Sequence, residues 1–164
     1  MKSDIDGLMH AKNFDALVVI GDAQHNPPMF YLTGGGHVNN AILVKQYGKE
    51  PVLFCNDMER EEAAKSGLNV RCFSDYPYDD LLKEAAGDPI LAGALRLQNM
   101  FTDLGLVHGT VSLYGQTEFG SSFAVFSLLQ KMIPELSLVG ETQDASLFMK
   151  AMETKDESVW RSRP

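Results

Sequence analysis

The sequence predicts a single α/β domain in which a mixed, mostly parallel sheet of about six strands lies between two layers of helices. Two observations carry this prediction. Short apolar segments that suit buried strands alternate with segments whose apolar residues recur at helical spacing, which is typical of a three-layer α/β/α domain. In addition, two strand segments are separated only by a short connection that contains glycine, so the sheet should include one antiparallel hairpin.

The composition is that of a folded protein of modest size. The 164 residues are 45% hydrophobic and 22% charged, which suits one domain with its own core. The net charge of -8, with scattered lysines and arginines, argues against a nucleic-acid-binding surface. No stretch approaches the ~18 apolar residues of a membrane span, and the N-terminus does not resemble a signal peptide. We therefore expect a cytoplasmic protein whose partners include neither nucleic acid nor membrane.

The first half of the chain alternates helical and strand segments. A first helix, for which Ser3 is a suitable cap, ends near Asn13, and a short helical turn covers Pro28–Leu32. Three strands are predicted here: Ala16–Ile20, Ala41–Lys45 and Pro51–Phe54. The first strand is apolar without alternation, as expected for a strand covered on both faces. The other two are joined by a short segment containing Gly48, which predicts the hairpin.

Glycine and proline mark the ends of the helices in the second half. Further strands are predicted over Asn69–Phe73, Thr110–Tyr114 and Leu136–Val139. The predicted helices are Met58–Ser66, Asp79–Ala86, a helix capped by Asp88 that ends before Gly105, and a helix capped by Thr117 that ends at Pro134. Strands and helices therefore alternate to the end of the sheet.

The helix before Pro134 carries an aromatic stripe. At helical spacing it presents Phe119, Phe123, Phe126, Leu129 and Ile133. A stripe of this kind is far more often part of a core than of a ligand site. We therefore expect all five side chains to pack inside the domain.

The residue pattern gives no sign of catalysis. Cys55 and Cys72 lie in apolar strand segments and are predicted to be small buried side chains. The four histidines are far apart, and the acidic cluster over 57–62 lies at a helix start, where the helix dipole favours carboxylates. The sequence contains neither a nucleophile elbow nor a phosphate-binding glycine motif. We predict no catalytic residue and no metal ligand in this chain.

The segment from Met29 to Val44 is the main candidate for a functional role. Its three adjacent glycines, Gly34 to Gly36, allow backbone conformations that a Cβ forbids. The polar residues that follow, beginning with His37, lie where a loop of an α/β domain commonly carries function. A flexible surface loop without function explains the glycines equally well at this point.

Several segments match a known family in order and spacing. They are Asp15–Val19, Phe30–Gly34, Ala41–Val44, Pro51–Phe54, Met58–Ala63 and Lys150–Glu157. Together they resemble the N-terminal domain of the creatinase, prolidase and aminopeptidase P family, the "pita-bread" metallopeptidases. Two positions depart from the family. His37 and the glycines before it stand where an aromatic residue usually follows the Thr-Gly pair, and Glu153 stands where the linker normally has lysine.

The resemblance implies a creatinase N-terminal domain, with a ribonuclease H-like sheet motif, over residues 1–143. Residues 144–164 are similar to the linker helix that leads into a C-terminal metallopeptidase domain. In the family the two divalent metal ions, such as Mn²⁺, and all their ligands belong to that second domain. The resemblance therefore implies that this chain alone holds no cofactor and is inactive, while the whole protein is a hydrolase.

The resemblance also implies a role and partners. The chain would be the non-catalytic N-terminal domain of an Xaa-Pro dipeptidase or aminopeptidase. It would contribute to a homodimer, contact its own C-terminal catalytic domain, and shape the access of proline-containing peptides to the partner subunit's dimetal site. Tyr31, Thr33, Gly34 and His37 would lie at the rim of that site, although simple core packing is an alternative for Tyr31.

Two other functions stay open at this stage. One is a stand-alone peptide- or protein-binding module of the same fold without peptidase activity. The other is a small-ligand α/β domain, which would have an apolar pocket at the carboxyl edge of its sheet. A creatine-type substrate is a further possibility for the whole protein.

Overall fold

A computed structural model describes residues 2–153 of the chain. The strands are β1 (Ala16–Gly21), β2 (Ala41–Gln46), β3 (Val52–Cys55), β4 (Asn69–Cys72), β5 (Gly109–Gly115) and β6 (Leu136–Gly140). The α-helices are α1 (Ile5–Ala11), α2 (Pro27–Thr33), α3 (Arg60–Ala64), α4 (Tyr78–Glu84), α5 (Pro89–Asp103) and α6 (Phe119–Met132). Residues 147–153 are also helical. No helix in this part of the chain is both long enough and apolar enough to cross a membrane.

The six strands form one mixed sheet in the order β4-β3-β2-β1-β5-β6. β2 is antiparallel to both of its neighbours, and the other three pairs are parallel. The predicted hairpin is β2–β3, in which Val44 pairs with Val52. The predicted class, an α/β domain with a mostly parallel sheet and one antiparallel hairpin, is therefore confirmed.

Two hydrophobic cores lie on the two faces of this sheet. Alternate residues of β1 point to opposite faces: Leu17 belongs to the first core and Val18 to the second, and both are fully buried. The first core also takes side chains from α1, α2, α3 and residues 147–151. The second core takes them from α4, α5 and α6. Helices on both faces make the three layers that the alternating pattern predicted.

The helix ends differ from the prediction in two places. Asp88 does cap α5, because its carboxylate accepts from the backbone N–H of Ile90 at 2.9 Å. The cap of α6, however, is Glu118 and not Thr117, since its carboxylate accepts from two backbone N–H groups of the first turn. Ser3 does not cap α1 either, because a short 3₁₀ turn over Lys2–Asp4 precedes that helix. For α1 and α6 the N-cap position is taken by the acidic residue that follows the predicted one, Asp4 and Glu118, and only Glu118 makes a side-chain capping bond.

The aromatic stripe of α6 is only partly core, which corrects the prediction. Leu129 and Ile133 are buried, but Phe119 is 78% exposed and Phe123 is 65% exposed. The reason is that α6 packs on α5 with another side: Val125 faces Gly93, where an added Cβ would lie 3.2 Å from its Cγ2. Residues two positions apart in a helix differ by about 200° around its axis. Phe123 is two positions before Val125, so its side of α6 points away from α5.

The end of the described chain belongs to the first core. Leu147, Phe148 and Ala151 are buried there against the sheet. Within the predicted linker helix over 144–164, residues 147–153 are helical and contribute to the first core, while residues 154–164 lie outside the described part of the chain. The boundary between 143 and 144 stays a prediction.

Replacing Gly7 with alanine should stabilise the domain. Gly7 is an exposed residue inside α1, and an added Cβ would have no atom within 4 Å. Because glycine loses more backbone freedom than alanine in a helix, we expect the free energy of unfolding to rise by about 0.5–1 kcal/mol, measured by urea denaturation. Gly48→Ala is the matched contrast. Its φ of +73° disfavours a Cβ, so it should be destabilising; a loss at Gly7 as well would contradict the helix assignment.

Candidate functional site

Polar residues gather where β1 and β5 end side by side and β2 begins. We call this end of the sheet the carboxyl edge. Its polar residues are Asp22, Gln24, Asn40, Gln116 and Glu118. The carboxyl ends of adjacent parallel strands are where α/β domains commonly bind ligands, especially where the direction of chain progression switches. Here β1 has antiparallel β2 on one side and parallel β5 on the other, so the edge lies at such a switch.

A cleft of about 690 Å³ opens between the carboxyl edge and helices α5 and α6. Its wall on the helix side includes Arg96, Ser121 and Ser122. Arg96 is the one cation among the residues that line the cleft. The cleft therefore combines one guanidinium, two carboxylates and several amide and hydroxyl groups.

Arg96 is held firmly by its surroundings. Its Nε and Nη2 donate to the backbone oxygen of Tyr76 at 3.2 and 3.0 Å. Its guanidinium also lies over the rings of Phe73 and Tyr78, at 5.0 and 5.4 Å from their centroids. Burial lowers the pKa of Arg96 from its usual value, although the group stays a cation at neutral pH. It therefore offers a fixed positive charge and no proton-transfer chemistry.

The two carboxylates of the cleft already accept backbone hydrogen bonds. Glu118 accepts from the N–H groups of Gly120 at 2.8 Å and Ser121 at 2.6 Å. The hydrogen bonds from Ser121, and to a smaller extent the bond from Gly120, lower the pKa of Glu118. Asp22 Oδ1 accepts from the N–H of Asn40 at 2.7 Å. The lowered pKa of Glu118 makes it a poor proton donor at neutral pH. The arrangement suits binding and positioning better than catalysis.

The four predicted rim residues lie at the end of α2 and in the loop that follows it, and they differ in exposure. Tyr31 and Thr33 are buried in the first core, where the Thr33 hydroxyl donates to the backbone oxygen of Met29 at 2.8 Å. Gly34 ends α2 in the left-handed conformation, with a φ of 70°. His37 is exposed. None of the four lines the cleft, and their place at a substrate rim stays a prediction.

The second half of the glycine loop is tied to the rest of the domain. The N–H of Ala23 donates to the oxygen of Val38 at 2.9 Å. Asn39 donates from its backbone and its side chain to the carboxylate of Glu59. These bonds position Asn40 at the carboxyl edge, so the loop joins the first core to the cleft.

Of the polar residues at the carboxyl edge, sequence reasoning singled out Asn40, in the polar segment after the glycines, and did not find Asp22, Gln116 or Glu118. The position of these residues in the chain could have indicated the cleft. Asp22 comes directly after the last residue of β1, and Gln116 and Glu118 come just after the last residue of β5. Polar side chains directly after two neighbouring parallel strands meet at one edge of the sheet. However, β1 and β5 are neighbours only because of the strand order in the sheet, and the local sequence patterns do not predict that order.

The described residues do not fit a dimetal site. No three histidine, cysteine, aspartate or glutamate side chains come close enough to share a metal ion between residues 2 and 153. Cys55 and Cys72 are register partners on β3 and β4, and both are free and buried. Burial raises the pKa of Cys55 to about 11, so it is a poor thiolate ligand. Their predicted role as buried side chains is confirmed.

An apolar groove runs along α6 on the side away from α5. We call it the α6 groove: it has a volume of about 1010 Å³, and its apolar lining comes from Leu113, Phe119, Phe123, Phe126 and Leu138, among other residues that include polar ones. Leu113 and Leu138, on β5 and β6, supply the part of the lining that the sheet contributes. Of the described surfaces, this groove is the one most similar to the apolar pocket that the small-ligand hypothesis predicted. It differs from that pocket because it is open along its length.

Comparison with solved structures gives a consistent match to one kind of domain. The X-Pro aminopeptidase from Thermotoga maritima is 13% identical with a TM-score of 0.57; the match covers 94% of this chain and 35% of that one. The Xaa-Pro aminopeptidase P structure from Streptococcus thermophilus is 19% identical with a TM-score of 0.56, covering 93% of this chain and 94% of that one. The N-terminal domain of the Xaa-Pro dipeptidase from Lactobacillus brevis is 14% identical with a TM-score of 0.52, covering 92% and 96%. The chain has the fold of an Xaa-Pro dipeptidase N-terminal domain.

The fold that the sequence resemblance implied is thus confirmed. No protein-family model and no curated protein matches this sequence. The chain spans only about a third of the length of the Thermotoga aminopeptidase, 35%, and almost all of the Lactobacillus N-terminal domain. At these identities the similarity establishes the Xaa-Pro dipeptidase N-terminal fold, and activity has to be argued separately.

Proposed function

We propose that this chain is the non-catalytic N-terminal domain of an Xaa-Pro dipeptidase or aminopeptidase. The observation that carries the proposal is the two-way coverage with the Lactobacillus domain, 92% of this chain and 96% of that one. In this role the chain contributes to a homodimer and shapes the access of proline-containing peptides to the partner subunit's dimetal site. Its own partner is a C-terminal catalytic domain, in a cytoplasmic protein.

The chemistry of the carboxyl edge supports a positioning role. Its carboxylates, Asp22 and Glu118, are occupied by backbone N–H groups, and Arg96 is held by a backbone oxygen. Such groups can line the path by which a substrate reaches an active site. They can select peptides by charge and shape without transferring a proton. The two divalent ions, such as Mn²⁺, would belong to the C-terminal domain, because the described residues offer no ligand set for them.

Hydrolysis of an Xaa-Pro dipeptide with added Mn²⁺ tests this proposal. We expect turnover by a longer protein that carries this chain followed by a catalytic domain, and none by the 164-residue chain. A chelated sample of the longer protein is the control for metal dependence. Turnover by the 164-residue chain itself would overturn the proposal, because no described set of residues could perform it.

A stand-alone peptide- or protein-binding module is the second candidate. The observation in its favour is the α6 groove, which has apolar walls and is open to a partner. Absence of hydrolysis by both the chain and the longer protein would favour this module over the peptidase domain.

A further inference from the structure

The two cysteines of the chain lie side by side on neighbouring strands. Cys55 is the last residue of β3, Cys72 is the last residue of β4, and the two are register partners in this parallel pair. Both side chains belong to the first core, so they lie on the same face of the sheet. The 164 residues include no other cysteine. Any disulfide within this chain must therefore join these two residues.

The spacing of the pair suits a disulfide bond. Register partners on neighbouring strands have Cα atoms about 4.8 Å apart, which is within the range of roughly 4.4–6.8 Å found in disulfides. The Cβ atoms of a disulfide are about 3.8 Å apart, so closing the bond needs a small approach of the two strand ends. Because β4 is an edge strand of four residues, one side of the pair can move without disturbing the centre of the sheet.

The two sulfur atoms have different surroundings. The Nε of Arg60 donates to the Sγ of Cys72 at 3.1 Å, so a guanidinium stabilises negative charge on that sulfur. The carboxylate of Asp57 lies beside the same thiol, and Arg60 is close enough to both groups to offset its charge. Burial, followed by the Cys72 thiol, raises the pKa of Cys55 to about 11. Because the thiolate is the form that oxidants attack, Cys72 should react first and Cys55 second.

We propose that Cys55 and Cys72 form a modification site, at which hydrogen peroxide produces a reversible disulfide. The Cys72 thiolate attacks one peroxide oxygen, the O–O bond breaks, and hydroxide leaves with the electron pair, which gives a sulfenic acid. The Cys55 sulfur then attacks the Cys72 sulfur and displaces a second hydroxide. Each hydroxide takes up the proton that one thiol has lost, so two thiols and one peroxide give one disulfide and two waters. A small dithiol reverses the bond by thiol–disulfide exchange.

A disulfide suits this pair better than a metal ion does. Among residues 2–153, no third histidine, cysteine, aspartate or glutamate completes a metal site with the two thiols. Both cysteines are buried, which keeps bulky oxidants away. Hydrogen peroxide is close to water in size, so local opening of the short edge strand is enough to admit it. The bond would cross-link β4, which has only β3 as a neighbour in the sheet.

Counting the thiols of the 164-residue chain tests the proposal. We expect the folded wild-type chain to lose both thiols in hydrogen peroxide, with a loss of two hydrogen atoms from its intact mass, and to regain both thiols in dithiothreitol. Cys55→Ser should instead gain oxygen on Cys72, because the sulfenic acid then has no thiol to condense with. Circular dichroism checks the fold of the variant, and Cys55→Ala repeats the test if the serine variant is not folded.

Arg60→Gln tests the part played by the guanidinium. We expect this variant to lose its thiols at least about threefold more slowly than the wild type, because the cation that favours the Cys72 thiolate is gone. Lys65→Gln is the matched control. It removes a positive charge just after the same helix, but Lys65 is exposed and pairs with Glu62, so the rate should be unchanged.

Three results would count against the proposal. A folded wild-type chain that keeps both thiols, or that gains oxygen on each sulfur, overturns it. A disulfide between two chains, which non-reducing electrophoresis distinguishes from one within a chain, overturns it as well. Equal rates for Arg60→Gln and the wild type overturn the role of Arg60. The assignment as a peptidase N-terminal domain is tested by the hydrolysis assay and does not depend on these results.

Discussion

Replacing Gly115 with alanine is expected to lower the free energy of unfolding by about 2–6 kcal/mol, from the combined cost of backbone strain and overpacking. Gly115 ends β5 with a φ of +121°, a conformation that side chains rarely adopt. An added Cβ would lie 2.8 Å from Ile20 N and closer still to Ile20 O. Both atoms belong to the backbone of β1, in the middle of the sheet, so they cannot move aside.

Urea denaturation followed by circular dichroism measures this effect. Gly140→Ala is the matched control because Gly140 ends the neighbouring strand β6, has no left-handed φ, and has no atom within 4 Å of an added Cβ. The control should change stability by no more than about 0.5 kcal/mol. A loss below about 1 kcal/mol at Gly115 would contradict the close approach of β1 and β5 at the carboxyl edge. Gly21, with φ +112°, should behave like Gly115, since its Cβ would overlap the backbone of Gln116.

Glu141→Gln is the second substitution with a large expected effect. The Glu141 side chain is only 8% exposed and pairs with Lys12. It also accepts from the Tyr114 hydroxyl at 2.5 Å and from the N–H of Leu147 at 3.1 Å. These contacts join α1, β5 and the start of the last helical segment. Because the variant removes the charge that they share, we expect it to cost about 2–3 kcal/mol at pH 7.

The cost of Glu141→Gln should depend on pH. Burial by itself would raise the pKa of Glu141, but the bonds from Lys12, Tyr114 and Leu147 outweigh it and lower the pKa below the ordinary 4.5. A carboxyl whose pKa is lower in the folded state contributes stability above its unfolded pKa and loses it as the pH falls through the folded value. The difference in the free energy of unfolding between the wild type and Glu141→Gln should therefore be largest at neutral pH and become smaller at acidic pH.

Stability curves of both proteins across the acidic range measure this dependence. Glu62→Gln is the control, because Glu62 forms an exposed pair with Lys65 and its loss should leave stability unchanged at either pH. If the difference in the free energy of unfolding between the wild type and Glu141→Gln does not change with pH, the charge of Glu141 is not what stabilises its contacts with Lys12, Tyr114 and Leu147.

The sheet was largely predictable because its strands are marked by local patterns. The run Ala16–Ile20 is apolar on both faces and became the central strand β1, and Gly48 marked the β2–β3 turn. Asp88 and the proline after it located the start of α5. Each of these features depends on a few adjacent residues, so sequence alone contains the information.

The errors concern features that depend on distant parts of the chain. The cap of α6 is one such feature, because Glu118 and not Thr117 accepts the backbone N–H groups of its first turn. Phe119 and Phe123 have core-like spacing, but α6 contacts α5 through Val125, on the opposite side of the helix. Helical spacing shows which residues share a face, and it does not show which face meets a neighbour.

The sequence by itself therefore determined the class of fold, the positions of the strands and helices, and the resemblance to a peptidase N-terminal domain. Only the tertiary structure decided which polar residues meet. Asp22, Arg96 and Glu118 come from three separate segments and share one cleft because β5 lies beside β1 and α6 packs on α5. The physical reason is that element formation follows local spacing, whereas a site is built by contacts between elements far apart in the chain, which no local pattern encodes.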